Sequence, residues 1–231
     1  MPNYDQYSQL PPNFSGVVRL FPLPNLVMFP GVLQPLHVFE PRYVEMLEDA
    51  LAGDRLIAMA LLTPGWEKEY EGRPAVSPLV CIGRIASHTQ TESGRYNLLL
   101  VGARRARIVE ELTSQRSFRQ ARVTPLDDQY PDDDVASRSR LQRKLVEAFQ
   151  SLLPSSSAAQ QQFQQLLAGE APLGLVTDIL AHTLALELPR KLELLEECNV
   201  DRRAELLLAA AAEKVDVQDD DRQFPPQFSD N

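Results

Sequence analysis

The feature that most constrains the fold is a change of hydrophobic period across an acidic, proline-containing stretch, residues 127–134 (DDQYPDDD). Before this stretch, apolar residues come in short runs rich in Val, Ile and Leu, which are typical of β-strands. After it, apolar residues recur at helical spacing, as at Leu141, Leu145, Phe149 and Leu152. Because like charges repel and proline disfavours a helix, residues 127–134 are predicted to link a strand-rich part to a helical part.

Composition sets the outer limits of these two parts. Residues 1–15 are polar and contain proline, and residues 216–231 are acidic and interrupted by proline, so both are predicted to be disordered tails. The predicted organisation is a tail at 1–15, a β-rich subdomain at 16–126, an acidic linker at 127–134, a helical subdomain at 135–215 and an acidic tail at 216–231.

The β-rich part is predicted to contain six strands and one helix. The expected strands are Val17–Phe21, Leu56–Leu62, Val80–Ser87, Arg95–Val101, Arg105–Leu112 and Phe118–Thr124. A helix is expected to begin at Pro41 and end at Gly53. Turns are expected at residues 92–94 and at Gly102. A unit with such closely spaced strands indicates a small, mixed barrel or sandwich, and the whole chain is therefore expected to be α+β.

No pattern of catalytic or metal-binding residues is visible in the sequence. There is no phosphate-binding loop, no G-x-S-x-G elbow and no H-E-x-x-H motif. His37, His88 and His182 are scattered over different predicted elements, and Cys81 and Cys198 are too far apart for a cysteine-based zinc site. The chain is expected to have no enzymatic activity, no cofactor and no metal.

Three features of the sequence predict the cellular location of the chain, namely its cysteines, its termini and its net charge. Two isolated cysteines are expected to be small buried hydrophobes in a reducing compartment. The N-terminal residues carry no signal-peptide pattern, and no apolar run approaches the about 20 residues of a membrane span. With a net charge of −9, the chain is predicted to be cytoplasmic and to have no membrane partner.

The densest motif lies near the N-terminus and resembles the entry motif of the Lon protease N-terminal domain family. The matching residues are Phe21-Pro22-Leu23, Phe29-Pro30-Gly31, Pro35-Leu36 and Phe39-Glu40-Pro41-Arg42-Tyr43. The resemblance continues through Gly94-Arg95-Tyr96-Asn97-Leu98 and the helical region 173–207, and it covers about residues 16–214. It implies a PUA-like β pseudo-barrel followed by an α-helical C-terminal subdomain. It also implies a role in recognising polypeptide substrates, without the ATPase and peptidase residues of the full protease.

Two groups of residues are candidates for polypeptide binding. The loop at residues 63–78 carries Trp66, the only tryptophan, and Tyr70, and loop aromatics of this kind either anchor a partner or fold back over the barrel end. Phe39, Arg42 and Tyr43 belong to the family motif, where a scaffold role and a ligand contact both remain open. The expected ligand is an unfolded or extended polypeptide segment, and a protease or chaperone is a possible partner.

An arginine series suggests a competing function. Seven arginines and two glutamates fall between residues 95 and 122, and PUA-like folds include RNA binders. However, Arg105 and Arg107 are expected on one strand face and Arg104 on the other, and no set of stacking aromatics lies among them. A solvated strand face with local pairs to the acidic linker is favoured, so nucleic acid is an unlikely ligand and a PUA-type RNA- or nucleotide-binding module is the alternative.

Overall fold

The computed structural model describes residues 9–69, 72–131, 135–150 and 171–222. In chain order its strands are β1 (Val17–Leu23), β2 (Leu33–Val38), β3 (Leu56–Leu62), β4 (Val76–Gln90), β5 (Tyr96–Leu112) and β6 (Arg119–Leu126). Its helices are α1 (Pro41–Ala52), α2 (Val135–Gln150), α3 (Leu173–Thr183), α4 (Leu188–Glu196) and α5 (Val200–Arg222).

The six strands form one mixed sheet that closes on itself. Their order is β2-β5-β4-β3-β1-β6, and a further pairing between β5 and β6 closes five of them into a pseudo-barrel. Only β1 and β3 pair in parallel, while the other pairs are antiparallel. The first half of β5 pairs with β2 and its second half pairs with β6, so β2 extends the sheet beyond the barrel. The expected α+β class and pseudo-barrel are confirmed.

The structure differs from the expected strands at Gly102. We expected a turn there, but β5 runs through it as one strand. The Gly102 N–H donates to the Val32 carbonyl at 2.9 Å, and its carbonyl accepts from the Gly31 N–H at 2.8 Å. A Cβ at Gly102 would collide with the Phe29 carbonyl oxygen. This glycine is therefore required for close backbone approach, and not for a turn.

The described parts of the predicted tails contain ordered structure. Leu10 and Phe14 pack against the barrel interior, and the Gln9 carbonyl accepts from the Arg84 guanidinium at 2.9 Å. At the other end, α5 continues to Arg222, beyond the predicted helix limit at 215. No proline or glycine interrupts the sequence from 200 to 222, whereas prolines follow at 225 and 226. The remaining tail residues lie outside the described ranges.

A buried cluster of charges joins the barrel to the helices. Arg105 of β5 bonds to Asp128 and, at 2.5 Å, to Asp178 of α3. Arg203 of α5 bonds to both carboxylate oxygens of Asp128 at 3.0 Å. Arg105, Asp178 and Arg203 are each at most 2% exposed. Burial raises the pKa of Asp178 to about 6, against the opposing effect of the two guanidinium groups.

This cluster corrects two expectations from the sequence. The described part of the acidic stretch, residues 127–131, is more than a linker, because Asp128 binds both arginines and Gln129 pairs with Asn199 beside α5. Arg105 is not on a solvated face, because the face it shares with Arg107 turns toward the helices. Cys81 is buried as expected, but Cys198 is only partly buried because it lies in the short connection before α5.

Candidate functional site

A cleft of about 540 Å³ opens where α1 begins, beside the ends of β1 and β3. The first turn of α1 forms one wall, and two loops, at residues 72–74 and 116–119, form the others. The lining residues are Pro22, Glu40, Pro41, Arg42, Tyr43, Leu62, Gly72, Arg73, Pro74, Arg116, Ser117, Phe118 and Arg119. The cleft therefore combines segments that are far apart in the chain.

The lining of the cleft is partly apolar and built on rigid elements. Pro41 occupies the first turn of α1, where its fixed φ suits the helix start. Tyr43, on the same turn, is 6% exposed and lies against Phe21 of β1, with ring centroids 4.6 Å apart. Phe118 is 1% exposed. Tyr43 and Phe118 therefore form the buried base of the cleft, and core packing sets its shape, while Pro41 is exposed.

Arginines line the cleft, and ion pairs hold three of them in place. Arg42 pairs with Glu40 at 2.8 Å and lies over the Tyr43 ring at 4.7 Å. Arg119 bonds to Glu111 through two nitrogens and to the Pro74 carbonyl at 2.7 Å. Arg116 lies 3.1 Å from Asp49 of α1. The guanidinium groups are thus positioned before any ligand arrives.

Phe39 lies in the chain between a residue that lines this cleft and a residue that lines a second depression. Its side chain is 56% exposed, and its ring stacks on His37 at a centroid distance of 5.9 Å. His37 lines the second depression, a groove of about 440 Å³ over β2, β5 and β4, while Glu40 lines the cleft. Leu33, 37% exposed, lies further along β2. Phe39 is thus an exposed aromatic residue that is close in the chain to both depressions and lines neither of them.

The structure brings together two of the five residues that the sequence analysis proposed as binding residues. Arg42 and Tyr43 line the cleft, whereas Phe39 lies just before the lining residue Glu40 in the chain and does not line the cleft itself. Trp66 lies on a short 3-10 turn, Trp66–Glu69, where it is partly buried and does not line the cleft. Tyr70 lies outside the described residues. The placement of these side chains does not by itself show which of them bind a ligand.

Sequence reasoning did not place the residues that complete the cleft, namely Arg73, Arg116, Phe118 and Arg119, beside the family motif. Phe118 and Arg119 come from the start of β6, more than 70 residues after the α1 motif, and no local pattern links the two segments. Their proximity follows from the antiparallel pairing of β6 with β1, which sets Leu20 against Arg119. Only the sheet topology could have predicted this contact.

The chemistry that the cleft offers is charge and apolar contact. Arginines, Glu40 and Ser117 supply its polar groups. Within the described ranges, no cluster of three or more His, Cys, Asp or Glu side chains is placed to hold a metal ion. None of the helices described is both long and apolar enough to cross a membrane.

The fold matches two solved structures that carry the name Lon. A Lon N-terminal domain protein from Xanthomonas campestris superposes with a TM-score of 0.61 at 24% identity, covering 84% of this chain and 97% of that one. The N-terminal domain of Lon protease from Mycobacterium avium complex gives a TM-score of 0.66 at 15% identity, covering 85% and 98%. At these identities the two matches establish the fold.

Curated relatives agree with this match. The Lon protease of Azorhizobium caulinodans is 26% identical over 215 residues, and that of Heliobacterium modesticaldum is 28% identical over 212 residues. The chain spans only about a quarter of the length of these relatives, 24% and 25% respectively. The model of the ATP-dependent protease La (LON) substrate-binding domain matches residues 17–212. Because that match covers most of the chain, the protein belongs to the Lon substrate-binding domain family.

Proposed function

We propose that this chain is a non-enzymatic module that binds extended or unfolded polypeptide at the cleft and at Phe39. The observation that carries the proposal is the 56% exposed ring of Phe39, which in the chain directly precedes Glu40, a lining residue of the cleft of about 540 Å³. Exposed aromatic rings next to concave apolar surfaces are typical anchors of protein recognition. A side chain of the bound segment would enter the cleft while its neighbours contact Phe39.

The relation to Lon supports a role in substrate recognition. How the chain would take part in that recognition is the subject of a second proposal. The matched region is the substrate-binding domain, and the curated relatives extend far beyond it. We propose that the chain acts in the cytoplasm as an adaptor that presents polypeptides to a protease or a chaperone. This adaptor role rests on the family relation together with the cleft.

Binding of a fluorescently labelled, extended peptide to variants of the chain tests the proposed site. Phe39→Ala should weaken binding about thirtyfold, because truncating such an anchor costs about 2 kcal/mol. Val109→Ala is the matched control, since Val109 is 61% exposed and lies on β5 outside the cleft. Trp66→Ala tests the loop at residues 63–78. Loss of binding in Trp66→Ala but not in Phe39→Ala would place the site on that loop.

The RNA-binding alternative gains little support from the structure, because most arginines of the series are held in ion pairs. Arg105 is buried, Arg107 lies 2.7 Å from Glu196, and Arg122 lies 3.0 Å from Glu110. No row of exposed guanidinium groups follows one strand face. We therefore retain polypeptide binding as the function that the geometry supports.

A further inference from the structure

The charged groups that line the cleft are strongly unequal in sign. Among the described residues, four arginines, Arg42, Arg73, Arg116 and Arg119, contribute to the lining, and Glu40 is the only lining carboxylate. The chain as a whole carries a net charge of −9. The cleft therefore concentrates guanidinium groups on a protein that is acidic as a whole, and such groups favour a negatively charged ligand.

The carboxylates that hold two of these arginines lie outside the cleft lining. Arg116 contacts Glu45 at 3.7 Å and Asp49 at 3.1 Å, and Arg119 contacts Glu111. None of these three carboxylates lines the cleft. Each guanidinium group has five N–H donors, so the contacts to carboxylates do not use all the donors of either arginine. Arg116 is 54% exposed at its side chain and is accessible to a ligand.

Arg73 differs from the other three because the described part of the chain gives it no ion-pair partner. It is exposed on the loop that forms one wall, and no carboxylate in the described part of the chain lies within ion-pair distance of it. Substituting it removes no described contact of the fold. A substitution of Arg73 therefore changes the charge of the cleft and leaves the described contacts of its walls in place.

We propose that the cleft selects polypeptide segments in which an aspartate or glutamate lies next to an aromatic or aliphatic residue. The apolar residue would contact Pro41, the exposed proline of the lining, and the carboxylate would be bound by Arg73 and Arg116 at the rim. Guanidinium groups match carboxylates in geometry as well as in charge. This inference rests on the proposed function, because it specifies which polypeptides the same cleft binds.

Two labelled peptides of one extended, apolar-rich sequence test the proposal, one with Asp and Glu and the other with Asn and Gln at the same positions. The acidic peptide should bind about fivefold more tightly at low salt, and the advantage should shrink as salt rises. Arg73→Glu should abolish this advantage, because it reverses the charge at the rim of the cleft. Arg95→Glu is the matched control, because Arg95 is exposed on the turn before β5 and does not line the cleft.

The outcomes separate this inference from the proposed function. Equal binding of both peptides, or an equal loss of the advantage in Arg95→Glu, would overturn the charge selection while leaving polypeptide binding in place. If neither peptide binds, both proposals fail. Tighter binding of a single-stranded RNA oligonucleotide than of the acidic peptide, lost in Arg73→Glu, would show that the arginines serve nucleic acid and would also overturn the inference.

Discussion

Arg105 and Arg107 lie two residues apart on one face of β5 and occupy opposite environments. Arg105 is 1% exposed and bonds to Asp128 and Asp178, whereas Arg107 is 44% exposed at its side chain and pairs with Glu196. The sequence places both residues on one face because side chains alternate along a strand. It could not predict which of the two the helices would cover, since that depends on how α3 and α5 pack.

This pair predicts two different effects on stability. Arg105→Ala should lower the free energy of unfolding by about 3 kcal/mol, because it removes one of the two guanidinium partners of Asp178 and leaves this buried carboxylate with Arg203 alone. Arg107→Ala should lower it by about 0–1 kcal/mol, as expected for an exposed ion pair. Urea denaturation of both variants measures the difference. Equal effects would show that the buried cluster does not hold the helices on the barrel.

The raised pKa of Asp178 predicts how the free energy of unfolding depends on pH. Burial raises its pKa from 3.8 to about 6, so the native state binds more protons than the unfolded state between those values. Its contribution to the free energy of unfolding is therefore fully present below pH 3.8 and is lost as the pH rises through 6. Relative to Asp178→Asn, the parent chain should gain stability as the pH falls from about 7 to about 4.

Urea denaturation of the parent chain and Asp178→Asn across that range gives the comparison. The charged groups that face Asp178 are Arg105 of β5, Arg203 of α5 and Asp128 between β6 and α2. A stability difference that instead grows as the pH rises would mean that the two arginines lower the pKa of Asp178 more than burial raises it.

Among the elements, β2 was the one that the sequence analysis missed. Proline in the middle of a run argues against a central strand, and Pro35 occupies the centre of Leu33–Val38. The structure accommodates Pro35 within a strand because β2 is an edge strand, paired with β5 alone. The other strands were predicted within a few residues, except that two predicted strands are halves of β5. Long strands that serve two neighbours cannot be distinguished from hairpins by local pattern alone.

The free edge of β2 is protected against pairing with another strand. The Gly102 N–H donates to the Val32 carbonyl, so the backbone groups of Val32 face β5. Backbone groups alternate in direction along an antiparallel strand, and the backbone nitrogen and carbonyl of Pro35 therefore face away from β5. Pro35 offers no N–H there, and its carbonyl already accepts from the Gln34 side chain at 2.9 Å. Edge strands commonly carry such devices against aggregation. Pro35 therefore removes one N–H donor from the edge that lies between the exposed Leu33 and Phe39.

Replacing Pro35 tests this protection. Pro35→Val restores an N–H at the edge and adds a strand-forming side chain, so this variant should self-associate more than the parent chain. His37→Val is the control, because it makes a similar side-chain change at a position that already has an N–H. Light scattering over a range of concentrations compares the molar masses. Unchanged association of Pro35→Val would show that Pro35 does not protect the edge.

For the molecule as a whole, the pseudo-barrel and the helices have separable roles in this account. The helices pack on the barrel through a shared apolar core and the buried charge cluster, while the cleft and Phe39 belong to the barrel part of the chain. The family motif in the sequence located one wall of the cleft, at Arg42 and Tyr43. The opposite wall depends on sheet closure, which no local sequence pattern encodes.

Site-specific photo-crosslinking tests most directly whether polypeptide binds at this cleft. A photoreactive phenylalanine analogue would replace either Phe39 or Val109, which are similarly exposed at 56% and 61% but lie on different parts of the barrel. Each protein would be irradiated with a permanently unfolded chain, such as reduced and carboxymethylated α-lactalbumin. Strong crosslinking from position 39 and little from position 109 is the predicted result. Equal crosslinking from both positions, or crosslinking from position 109 alone, would contradict a polypeptide site at Phe39 and the cleft.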